Sequence, residues 1–118
     1  MKKINLALTL TIGLLSAAPV MAQDKSATCQ IDQNGQTVYK SKCIFSPEAG
    51  GSFSIQHPQK NKYLFDGISM ISVYIVEKDV AEVRGLTRDG INSRWGEAHR
   101  SKQQKACWVG SDFKVCAW

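Results

Sequence analysis

Glu97 and His99 stand two residues apart in INSRWGEAHR. In an extended chain that spacing puts both on one side, with Cα atoms roughly 6.6 Å apart. A carboxylate that orients an imidazole is half of a general-base arrangement. The other half is missing: no nucleophile with an activating neighbour can be identified, and the second histidine, His57, precedes Pro58 in phase with apolar residues. Two histidines far apart, without a clustered third ligand, match no usual metal pattern, so neither a metal nor a cofactor is expected.

Arg84, Arg88, Arg94 and Arg100 lie in the same stretch as Trp95, and Tyr74 stands one strand earlier. Planar donors beside aromatic rings suit a partner bearing carboxylates or phosphates. Equally, Arg84 can pair with Glu82 or Glu97 and serve the fold alone. Strict alternation places Trp95, Glu97 and His99 on one side of the strand, and Arg94, Ala98 and Arg100 on the other. The expected binding surface is Trp95, Arg94, Arg84, Arg100, Tyr74, Glu97 and His99, with no catalytic residue assigned.

The four cysteines, Cys29, Cys43, Cys107 and Cys116, form no C-x-x-C, which argues against a redox pair or a zinc ribbon. In ACWVGSDFKVCAW a hairpin turning at Ser111-Asp112 sets Gly110 opposite Phe113, Trp108 opposite Val115 and Cys107 opposite Cys116. That last pair falls at a non-hydrogen-bonded position, where Cα atoms approach to about 4.5 Å, within reach of a disulfide. Cys29 and Cys43 flank Asn34-Gly35, the strongest short hairpin signal in the chain. A strict hairpin there puts Cys29 opposite Lys40, so the pairing Cys29–Cys43 needs a bulge or bend, expected near Ser41. Each cross-link closes a loop worth roughly 3 kcal/mol in the chain-entropy model.

The first residues, MKKINLALTLTIGLLSAAPVMAQD, read as a secretory signal peptide: two lysines, an apolar run shorter than a bilayer span, then small residues before Gln23. Cleavage after Ala22 leaves residues 23–118, a single small domain destined for the periplasm or the exterior, where disulfides form. The chain carries +5, and without Lys2 and Lys3 the domain carries +3, with no block of basic residues. Such a charge suits an anionic envelope polymer or a protein partner and is too small for a nucleic-acid footprint. No second apolar span suggests membrane insertion of the domain.

The elements that must position these residues read as strands. Ser52–His57 alternates, with Phe53 and Ile55 on one face, and Tyr63, Leu64 and Phe65 follow in a loop that covers an edge or an end of the core. In ISVYIVEKDVAEVRGLT the pattern predicts a hairpin turning at Glu77-Lys78-Asp79, with Ile71, Val73 and Ile75 sharing a face with Ala81, Val83 and Gly85, and with Tyr74 and Glu82 outward. Arg88-Asp89-Gly90 reads as a turn before the strand INSRWGEAHR, and a helical turn between Ala98 and Lys105 is an alternative for its end. The fold expected is mainly β, a small antiparallel barrel or sandwich of six to eight strands with two disulfides.

Cys29-Gln30-Ile31-Asp32 with Asn34-Gly35, Gly51-Ser52-Phe53-Ser54-Ile55, Ala106-Cys107-Trp108 and Cys116-Ala117-Trp118 together resemble a group of small exported bacterial proteins of uncharacterised function. That resemblance implies architecture and no activity. In size, export and disulfide-tied β structure the chain is also similar to the periplasmic lysozyme inhibitors, a likeness of form alone. The function expected is therefore a non-catalytic binding protein of the bacterial envelope, in its sharpest version an inhibitor or immunity protein for a cell-wall hydrolase such as lysozyme. Two alternatives stand beside it: a small hydrolase using Glu97 and His99, and an envelope structural protein with no specific ligand.

Overall fold

The computed structural model describes residues 23–118; the expected signal peptide, residues 1–22, lies outside the described residues. Eight strands follow one another: β1 Lys25–Gln33, β2 Gln36–Pro47, β3 Phe53–Gln56, β4 Ile68–Glu77, β5 Val80–Thr87, β6 Asn92–Arg100, β7 Cys107–Val109 and β8 Phe113–Ala117. Each pairs antiparallel with the next, and β8 returns to β1, with Cys29 opposite Ala117 and Gln33 opposite Phe113. Of the two architectures expected, the chain thus adopts the closed barrel. Closure removes the unpaired edges that a sandwich would leave open. Among the described residues no helix is long and apolar enough to cross a membrane.

Alternation decides which residues fill the inside. Ile31, Ile55, Ile71, Val73, Val83 and Val115 are fully buried there, together with Cys29 and Cys43. Eight strands enclose a space that side chains of this size can fill. Each such aliphatic side chain contributes about 1.5–3 kcal/mol by leaving water. The β4–β5 hairpin has the expected register, Ile71 opposite Gly85, Val73 opposite Val83, Ile75 opposite Ala81, and Tyr74 opposite Glu82 on the outer face.

Both disulfides are formed. Cys107 lies opposite Cys116, with Cα atoms 4.0 Å apart, and the Gly110 amide donates to the Phe113 carbonyl at the turn. Since Val115 and Trp108 belong to the core and alternation sends their neighbours the other way, this bond staples β7 to β8 from the outer face. Cys29–Cys43, with Cα atoms 5.8 Å apart, sits inside the barrel. Asn34 and Gly35 make the tight turn with φ of 52° and 79°, the left-handed pair this hairpin needs. The expected bulge is present but lies elsewhere: Ile31 faces Tyr39 and Asp32 faces Thr37, so Val38 is the extra residue, near the turn instead of near Ser41. Cys29 then faces Ser41, and its sulfur reaches diagonally to Cys43 on the same side.

At one end of the barrel Trp95 meets Phe65 and Phe113 edge-on, with ring centroids 5.9 and 5.5 Å away. Leu64 is buried beneath, so the 57–67 loop covers the end of the core. The other end is formed by the segment 48–52, the Lys78-Asp79 turn, the loop 101–106, and the residues Lys25 and Trp118 that flank the barrel strands. That loop contains no helix: Ser101 Oγ accepts from the amides of Gln103 and Gln104, which turns the chain without one.

Candidate functional site

The outer face of β4, β5 and β6 collects most of the residues singled out from sequence. Tyr74, Glu82 and Glu97 stand in one row across the three strands, with Arg84 and Arg94 in the next. Arg94 grips Glu82 through two hydrogen bonds, Nε to Oε2 at 2.7 Å and Nη2 to Oε1 at 3.0 Å. Arg84 has only a long contact to the Asn92 carbonyl, 3.4 Å. His99 Nε2 donates to Glu97 at 2.8 Å, on side chains 63% and 68% exposed. The carboxylate–imidazole contact is therefore made, between side chains that are both open to solvent. Charges on this face balance: two arginines stand against two carboxylates.

Trp95 and Arg100 are not part of that face. Strict alternation fails at Trp95, because Gly96 pairs with Val83 while Arg94 pairs with Arg84, leaving Trp95 as the extra residue of a bulge. Gly96 takes φ 117°, which no side-chain-bearing residue adopts readily, and so allows the kink. The indole turns inward over Gly85, while Arg94 joins Glu97 and His99 outside. Arg100 lies at the barrel end with Trp108, its guanidinium 4.5 Å from the ring centroid. It also donates to the Asp79 carboxylate at 3.2 Å and to the Lys105 carbonyl at 2.9 Å. These three contacts tie the β4–β5 turn to the 101–106 loop.

Around that tie runs a groove of about 600 Å³, lined by Lys78, Lys102, Lys105, Arg100 and His99, with Asp79 as its one carboxylate. Four permanent cations against one anion equal the whole net charge of residues 23–118. The groove lining is therefore cationic while the β4–β6 face is neutral, and Glu48 and Glu77 stand at the same barrel end outside that lining. Sequence reading passed over Lys78, Lys102 and Lys105 because they are scattered along the chain; the run Arg100-Ser101-Lys102 with Lys105 was the available signal. At the opposite end a hollow of about 370 Å³ is lined by the Asn34-Gly35 turn and by Ser111-Asp112, and the Asn34 amide donates to the Asp112 carbonyl at 2.8 Å. Asp32 lines it, accepting from Thr37 Oγ1 at 2.8 Å and Gln30 Nε2 at 3.1 Å, with Lys114 Nζ 3.5 Å away. Partial burial pushes its pKa up, but the hydrogen bonds and Lys114 outweigh that and hold the carboxyl below its usual value.

Among the described residues no group of three or more His, Cys, Asp or Glu side chains could hold a metal ion. Comparison with known proteins finds no match to any family model, curated protein or solved structure.

Proposed function

We propose that this chain is a small exported binding protein of the bacterial envelope, acting in the periplasm or outside the cell without catalysing a reaction itself. Its sharpest form is an inhibitor or immunity protein for a cell-wall hydrolase. The observation that carries this reading is the concentration of Lys78, Lys102, Lys105 and Arg100 around one groove, mounted on a closed, doubly cross-linked barrel. Most glycan hydrolases flank the scissile bond with two carboxylates, so an active site of that kind is complementary to a rigid cationic groove. A preorganised surface also loses little freedom on association. The test is inhibition of a panel of muramidases by the purified protein. Salt-sensitive inhibition of at least one enzyme is expected; none across the panel removes the inhibitor form.

The Glu97–His99 contact favours a second reading, a small hydrolase, since His99 also borders the groove. Ser101 lies beside it, but its hydroxyl oxygen is occupied by the amides of Gln103 and Gln104. Hydrolysis of glycan or ester substrates that is abolished by His99→Gln would establish that reading in place of the first.

A further inference from the structure

Next to the cationic groove the barrel end carries aromatic surface. A hollow of about 380 Å³ lies between Lys25, Ala27, Phe45, Ala117 and Trp118. A smaller one, about 170 Å³, has Phe45, Phe53, Trp108 and Ala117 as floor and Arg100 and Lys105 at its rim. The two share Phe45 and Ala117, and the smaller shares Arg100 and Lys105 with the groove, so the three adjoin in one track across the end. Phe45 stacks on Phe53 at 4.9 Å, and Lys25 Nζ sits 5.7 Å from the Phe45 centroid. Trp118 is 53% exposed, yet its backbone is fixed by two hydrogen bonds to Thr28, 2.8 and 3.1 Å long. A large ring held open to water on a fixed backbone, with Lys25 lining the same hollow, is a stacking platform.

The occupant must suit both features. An acyl chain would need a channel, and the barrel interior is filled by fully buried Ile31, Ile55 and Val115 together with the Cys29–Cys43 bond. A ligand on this end therefore lies across the surface, presenting flat, partly apolar faces to Trp118 and Phe45 and acid groups to Lys25, Lys105 and Lys102. Pyranose rings offer C–H faces to aromatic rings, and carboxylates make charge-assisted hydrogen bonds to lysine. We propose that the track over Trp118, Phe45 and Lys25, running on to Lys105 and Lys102, binds an acidic oligosaccharide. This goes beyond the inhibitor reading, because Trp118 and Lys25 lie outside the groove assigned to it.

Calorimetric titration with hexagalacturonate tests it, with neutral chitohexaose, polyglutamate and oligothymidylate as comparison ligands. Hexagalacturonate is expected to bind, more tightly than all three. Trp118→Ala should weaken binding about tenfold, the scale of losing one stacked ring, and Lys25→Gln by about threefold, the scale of one exposed ion pair. Both side chains lie outside the core, and unchanged thermal unfolding of each variant would show the fold intact. The proposal is overturned if hexagalacturonate does not bind, if chitohexaose, polyglutamate or oligothymidylate binds as tightly, or if Trp118→Ala binds normally. Muramidase inhibition that survives Trp118→Ala while hexagalacturonate binding is lost would keep the two sites distinct; hexagalacturonate binding by a parent protein that inhibits no muramidase would leave this site standing and remove the inhibitor reading.

Discussion

The indole of Trp95 lies so close over Gly85 that a Cβ at position 85 would come within 2.8 Å of Nε1 and 3.0 Å of Cε2. A ring wedged between Phe65 and Phe113 cannot swing aside. Gly85→Ala is therefore expected to lower stability by about 1–3 kcal/mol, the usual cost of overpacking, measured by thermal or urea unfolding. Trp95→Ala should cost about 3 kcal/mol, at the low end for a partly buried ring, and leave binding at the basic end unchanged.

The two disulfides are not equivalent. Cys107–Cys116 clamps two adjacent strands on their outer face, where it is fully buried but apart from the core cluster, whereas Cys29–Cys43 belongs to that cluster. Replacing Cys107 and Cys116 by alanine should cost about 2–4 kcal/mol through the unfolded chain. Replacing Cys29 and Cys43 should cost more, because that bond closes the longer loop, a separation of 14 against 9, and because the cavity it leaves opens among the core side chains. Urea midpoints of the two double variants give the order; equal midpoints would contradict the inner placement.

Asp32 makes stability depend on acid. Its folded pKa is lowered from 3.8, so the unfolded state binds the proton more readily. The stabilisation is present above the unfolded value and is lost as pH falls through the folded one. Asp32→Asn should be less stable than the parent at pH 7, and the gap should close below pH 3.8. Thermal midpoints of both proteins across that range check it; a constant gap would contradict the assignment.

Arg94 and Glu82 form the best ion pair on the outer face, with Arg94 68% exposed. Solvent limits its worth, and Arg94→Ala should cost only about 0.2–1 kcal/mol. If the basic end is the site, the same change leaves partner affinity unaltered.

Much of the barrel was legible because alternation and turn chemistry agree. The Ile71–Val83 hairpin and the facing of Cys107 and Cys116 both follow from counting outward from a turn. Counting fails at bulges, where one extra residue reverses the sides. Val38 and Trp95 are the two cases that mattered: one moved the bend that lets Cys29 reach Cys43, the other took Trp95 off the outer face and brought Arg94 onto it. The basic end was legible only in the run Arg100-Ser101-Lys102 with Lys105, since Lys78 and Lys25 come from two other places in the chain and only the folded barrel brings all of them together.

The most direct measurement compares the parent with a Lys102→Glu, Lys105→Glu variant as inhibitors of the same muramidase. Both lysines sit in an exposed loop, so the fold should persist. Inhibition by the parent and a loss of at least about tenfold in the variant, in line with the coupling of close charge pairs across an interface, is the predicted result. Equal potency of the two proteins, or no inhibition by either, would contradict the account.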